Sequence, residues 1–303
     1  MRASAPGSAG RRNMTTATSA ASEHDAAFTA EMVRSHDFAR YASTLFVPED
    51  RRRALLALYA FNVEITRVRE QVSQPLPGEI RLQWWTDMLA GAGHGDVSSN
   101  PVAAELLWAI GEHQLPVDRL AKLIDTHIFD LYHDPMPDLT VLESHFGDTT
   151  STLLALAAKI LGASSEATDH AADHGGLAQG VAQVIALLPY DSARGQLFLP
   201  LDILTRHGSS AADVFLGKPT PAIRAALDQL IEGARAQLAT AQSLMPQVPA
   251  EARRAFLPLA LVARDLDRMA RPDFDPFAPH ATSRLRVLWT LWRAARDPLF
   301  GRL

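Results

Sequence analysis

Apolar residues recur along this chain at intervals of three and four and seldom at two, the spacing of helices with one buried face. In the stretch 54–61, Leu55, Leu58 and Phe61 fall on one side with Leu56 and Tyr59 beside them, which makes a wide apolar face. Ala, Leu, Arg, Glu and Gln dominate, and β-branched residues do not cluster, so local propensity agrees with the periodicity. Together they predict helices over about 25–46, 49–73, 78–91, 101–113, 117–132, 139–161, 165–188, 221–244, 249–270 and 280–296. Proline and glycine mark the breaks. Pro48 starts a helix, Pro75, Pro77 and Gly78 form a turn, a Gly/Ser-rich loop runs from Gly91 to Pro101, Pro135 and Pro137 stop one helix, and Pro189 stops another.

No linker and no fixed-period repeat divides the chain, so residues 25–303 read as one all-α domain. Residues 1–24 are rich in Ala, Ser and Thr, carry Arg2, Arg11 and Arg12, and have no acid before Glu23. That composition suits a disordered tail or a targeting-like segment, and the tail is the default.

Composition narrows the chemistry. The chain has 303 residues, 47% of them hydrophobic, enough to bury a large core. A net charge of −5 argues against a nucleic-acid partner. With no cysteine, thiol catalysis and Cys-ligated zinc are excluded. The 11 histidines show no HExxH spacing. His170 and His174, with Asp169 and Asp173 beside them, have metal-pair spacing but read first as a solvated helix face. No apolar run reaches the roughly 18 residues of a membrane-spanning helix.

Two segments stand out. After Tyr59-Ala-Phe61 the helix changes character, and Asn62, Glu64, Thr66, Arg67 and Glu70 give it a polar stripe, with Thr66 and Glu70 on one face. Further on, Gly176, Ala178, Gly180 and Ala182 form a small-residue stripe on a helix that leads through Pro189 to Gly195-Gln-Leu-Phe-Leu-Pro200. Small residues let a second helix or a ligand approach closely.

The runs Leu45-Phe-Val-Pro48, Arg51-Arg52 and Ala57-Leu-Tyr-Ala-Phe61, with the Gly176 to Pro200 segment, resemble the squalene/phytoene synthase family. The resemblance implies an all-helical isoprenoid-synthase fold around a central cavity. In that family, two DxxxD motifs on facing helices hold magnesium ions that bind the diphosphate of prenyl substrates. Counted from Tyr59, the first pair falls on Thr66 and Glu70. Counted from Gly176 and Gly195, the second falls on Leu187 and Asp191. Each pair therefore keeps at most one acid, and Glu70 and Asp191 are the vestigial metal ligands. The family's Gln and Asn on the second helix become Gly180 and Gln183, and its Gly-Arg becomes Gly195-Gln196. Arg40, Tyr41, Arg52, Tyr59 and Arg81 complete the set that the resemblance places at the cavity or the diphosphate.

The pattern Asn62-x-Glu64-Ile65, followed by Pro75-Leu-Pro-Gly-Glu-Ile-Arg-Leu-Gln-Trp-Trp85, is similar to a divergent subgroup of the family. That subgroup includes a mitochondrial respiratory complex I assembly factor. Beside a pure interaction protein with no ligand in the cavity, two readings stay open. One is a non-catalytic protein that binds an isoprenoid or lipid, or helps a partner complex assemble, and needs no cofactor. The other is an active Mg²⁺-dependent head-to-head prenyl transferase that draws on Glu64, Glu70, Asp87 and Asp191. The basic, amphipathic stretch 283–296 either docks on the core by its Leu and Trp face or touches an anionic membrane surface. The compartment that follows is the cytoplasm, with peripheral membrane contact, or the mitochondrial matrix in a eukaryote.

Overall fold

The computed structural model describes residues 9–93 and 99–297, with side chains from residue 22 onward. Of the stretch read as a tail, residues 1–8 lie outside the described residues, and the chain is helical from Ala9. Residues 94–98 of the Gly/Ser-rich loop also lie outside them. No strand occurs among the described residues, as an isoprenoid-synthase bundle requires, and no helix there is long and apolar enough to cross a membrane.

The first long helix, α1 (Ala9–His36), ends where Asp37 breaks it. The Asp37 carboxylate accepts the Arg40 N–H at 3.0 Å and caps the short α2 (Phe38–Thr44), so a stretch that periodicity presents as one helix becomes two. The next helix, α3 (Glu49–Gln71), is the spine of this half and buries Ala54 to Phe61 as an unbroken run. It packs against α1, α4 (Pro75–Leu89), α5 (Pro101–His113) and α8 (Thr152–Ile160). A stretch buried on all sides loses its amphipathic contrast, and Asn62 onward restores a polar face because that part looks into a cavity.

The second half is organised by α9 (Glu166–Ala193), which packs along α12 (Pro221–Leu244). Pro189 does not end α9. It withholds an N–H from the Ile185 carbonyl, yet buried Leu188, Asp191 and Ser192 hold the last turn in helical form. Between α6 (Val117–Thr126) and α9 the chain makes α7 (Leu139–Phe146), a π-helical turn (Gly147–Ser151) and then α8. Sequence periodicity merges these three into one helix. The wide turn arises because Thr150 Oγ1 donates to the Gly176 carbonyl at 2.8 Å and Ser151 Oγ to the Asp173 carbonyl at 3.1 Å, drawing the backbone onto α9. A Cβ at Gly176 would lie 2.4 Å from the backbone N and Cα of Ser151, so glycine is required for this approach. Short helices α10 (Leu201–Arg206) and α11 (Ala211–Phe215) lead into α12.

The remaining helices are α13 (Leu259–Met269) and α14 (Arg284–Ala295). A 3₁₀ turn (Ala252–Phe256) and Pro258 precede α13, which therefore starts later than periodicity suggests. The C-terminal helix docks on α2 and α13 through Val287, Leu291 and Ala294, one residue per turn. Of the Leu and Trp face expected from sequence, Leu288 packs on the core, whereas Leu285 is 81% and Trp289 61% exposed. Short Val and Ala side chains let the helix sit close to its neighbours, and the indole rings of Trp289 and Trp292 stack on each other at the surface.

Candidate functional site

Where α3 faces α9, their polar stripes line an open cavity of about 320 Å³. From α3 come Asn62, Thr66, Arg69 and Glu70, and from α9 Gly180, Gln183, Leu187 and Asp191. The start of α2 adds Asp37 and Arg40, and Phe198 joins the lining. Gly180 fits because Phe146 lies against it, with a Cβ there only 2.4 Å from the ring. Of the residues singled out from sequence, Arg40, Asn62, Thr66, Glu70, Gly180, Gln183, Leu187 and Asp191 line this cavity.

Four others do not line it. Tyr59 is buried in the core behind the cavity, where burial pushes its phenol up to about 12. Tyr41 packs on Phe38, with ring centroids 6.2 Å apart. The Arg52 guanidinium donates to the Thr44 carbonyl at 3.1 Å and the Val47 carbonyl at 3.3 Å, so it closes the end of α2 instead of lining the cavity. Arg81 is spent at the surface on Gln71, at 2.5 Å. Arg40 lines the cavity but is already engaged, 2.5 Å from the Asp37 carboxylate and over the Tyr59 ring at 5.7 Å.

At the centre of the site is a residue that no sequence motif singles out. The Arg69 guanidinium reaches across from α3 to Asp191 at 3.1 Å, touches Gln196 Oε1 at 3.3 Å, and lies over the Phe198 ring at 5.2 Å. Both side chains of the ion pair are enclosed, 14% exposed for Arg69 and 5% for Asp191. Burial pushes the Asp191 carboxyl above its ordinary range, with Arg69 opposing that shift. Thr66 turns its hydroxyl back onto its own helix, donating to the Asn62 carbonyl at 2.9 Å, and offers nothing to a cation. Glu70 sits exposed at the rim. At the mouth, Arg67 Nη1 lies 3.1 Å from His36 Nε2.

Sequence reasoning also missed His127, Asp130 and His145 in the cavity wall. His127 and Asp130 are three apart, a spacing present in the chain, but the third member comes from α7 and only the fold brings it near. The pair His170 and His174 is not such a group. His174 bonds Gln237 at 2.5 Å, and His170 is exposed.

The sequence and the helical frame both find counterparts among known proteins. Residues 33–293 match the squalene/phytoene synthase family. The chain is 33% identical over 281 residues to the NADH dehydrogenase (ubiquinone) complex I assembly factor 6 of Rattus norvegicus, which covers 93% of this chain and 84% of the relative. It is 25% identical over 262 residues to phytoene synthase 2, chloroplastic, of Solanum lycopersicum, covering 83% of each. The crystal structure of squalene synthase HpnC from Alicyclobacillus acidocaldarius superposes with a TM-score of 0.71 at 20% identity, over 81% of this chain and 93% of that one, a likeness of fold. The chain belongs to the squalene/phytoene synthase family.

Proposed function

We propose that this chain is a non-catalytic, assembly-type factor for a respiratory NADH dehydrogenase, on a prenyl-synthase fold that no longer performs prenyl transfer. The observation that carries the reading is Arg69 on Asp191. A magnesium–diphosphate site needs several carboxylate oxygens around hard cations. This donor set does not fit one. A guanidinium occupies the place beside Asp191, Thr66 and Leu187 supply no charge, and Glu70 stands at the rim. The same guanidinium also cancels the charge that would attract a metal. The likeness to assembly factor 6 over most of both chains supports the functional half of the reading.

The cavity then serves binding and not turnover, and an isoprenoid or other lipid chain is the ligand that its descent favours. Solvent extraction of the purified protein followed by mass spectrometry reads this directly. The exposed Leu285, Trp289 and Trp292, flanked by Arg284, Arg286, Arg293 and Arg296, suit contact with an anionic membrane surface. The compartment follows the complex: the mitochondrial matrix in a eukaryote, the cytoplasmic side in a bacterium.

Deleting the gene in its source organism and measuring assembled NADH dehydrogenase on native gels tests the role. Assembled complex falls, and both the intact chain and Glu70→Gln restore it. Unchanged assembly together with loss of a squalene- or phytoene-type product overturns the proposal.

A further inference from the structure

A second polar cluster lies in the wall of the same cavity, on residues outside both aspartate-rich positions. His127 follows α6 as its C-terminal cap, Asp130 lies in the 3₁₀ turn Phe129–Leu131, and His145 projects from α7. One ligand-type atom from each of the three lies within 4.8 Å of the others. His127 Nδ1 is 2.6 Å from Asp130 Oδ2, and His145 Nε2 is 3.7 Å from Asp130 Oδ1.

A structural His–Asp hydrogen bond accounts for the first contact and not for the rest. His127 and Asp130 are each only 8% exposed, and Asp130 Oδ1 is buried with no hydrogen-bond partner among the described residues. Leaving such an atom unpaired is costly, so a native site normally has a use for it. The 3.7 Å gap to His145 is too long for a hydrogen bond. It suits two ligands of one ion, since bonds of about 2.1 Å meeting at a tetrahedral angle hold their ligand atoms about 3.5 Å apart.

We infer that His127, Asp130 and His145 bind a divalent first-row transition ion, of the class that zinc and cobalt represent. The donor set decides the class. Two imidazoles and one carboxylate suit zinc, cobalt or iron, whereas magnesium takes oxygen ligands. Three protein ligands leave a position open, and it faces the cavity that the same side chains line, so a small ligand reaches the ion there. Gln196 steadies the site by donating from Nε2 to the Asp130 carbonyl at 2.5 Å. The inference does not rest on the assembly role proposed above, because none of the three ligands belongs to the Arg69–Asp191 pair.

The test uses the full chain, stripped with a chelator and titrated with Co²⁺ alone. One equivalent binds with the visible absorption bands of nitrogen-ligated cobalt, Zn²⁺ displaces it, and millimolar Mg²⁺ does not. His145→Gln and the near-isosteric Asp130→Asn each weaken binding by at least about tenfold, while His170→Gln leaves it unchanged. Circular dichroism of each variant shows whether it has kept its fold. Absence of stoichiometric cobalt binding by the unaltered chain overturns the assignment. So does equal binding by folded His145→Gln and Asp130→Asn, or displacement of the cobalt by Mg²⁺.

Discussion

Replacing Arg69 with methionine keeps much of the side-chain volume and removes the cation facing Asp191. The Asp191 carboxylate is 5% exposed and has its ion-pair partner at 3.1 Å. Breaking a buried pair by removing one member costs about 3–5 kcal/mol, because a charge is left without compensation. Arg69 is 14% exposed, so some solvent screening remains, and the low end, about 3 kcal/mol, is the expected loss at pH 8. The loss depends on pH. Burial already holds the Asp191 carboxyl above its ordinary range, and removing Arg69 raises it further. A carboxyl with a folded pKa above its unfolded value contributes stability at low pH and loses it as pH rises through the folded value. The variant is therefore closer to wild type at pH 5 than at pH 8. Combining Arg69→Met with Asp191→Asn removes both charges and recovers most of the loss, since neutral replacement of a buried pair is often close to isoenergetic. Guanidinium unfolding followed by circular dichroism at the two pH values measures all of this. A loss below about 1 kcal/mol with no pH dependence would show that the pair behaves as a surface ion pair and not as a buried one.

Two further predictions concern the frame and the surface. Gly176→Ala places a Cβ 2.4 Å from the Ser151 backbone, which cannot move aside as a flexible side chain would. It should cost about 2–3 kcal/mol or more by thermal unfolding, whereas Gly233→Ala on α12, where a Cβ meets nothing within 4 Å, should not destabilise. Purified chain should float with vesicles containing anionic lipid and not with neutral ones, and joint Leu285→Ser and Trp289→Ser substitution should abolish flotation without lowering the melting temperature, because both side chains are exposed.

Much of this was legible in the sequence. Periodicity and the proline stops located α3, α5 and α12 to within a few residues, and the register from Tyr59 and Gly176 brought Thr66, Gly180, Leu187 and Asp191 to one cavity. What escaped was non-local. A π-helical turn forms only because Thr150 and Ser151 find carbonyls on α9, and no pattern within 139–161 announces that partner. Pro189 misled because the burial of its neighbours outweighs one lost hydrogen bond. Counting acids at the aspartate positions revealed a loss but not its replacement. Arg69 lies one residue before Glu70, and its reach to Asp191 depends on how α3 and α9 face each other. The arginines expected at a diphosphate, Arg52 and Arg81, turn instead to the nearest oxygen acceptors, the carbonyls closing α2 and Gln71.

The central question is whether the cavity still performs prenyl transfer. Purified chain incubated with farnesyl or geranylgeranyl diphosphate and Mg²⁺, with released inorganic diphosphate and condensed hydrocarbon measured together, gives the most direct answer. The Arg69–Asp191 pair predicts neither product above the level of a protein-free control. Robust condensation that Asp191→Ala or Glu70→Ala abolishes would contradict it.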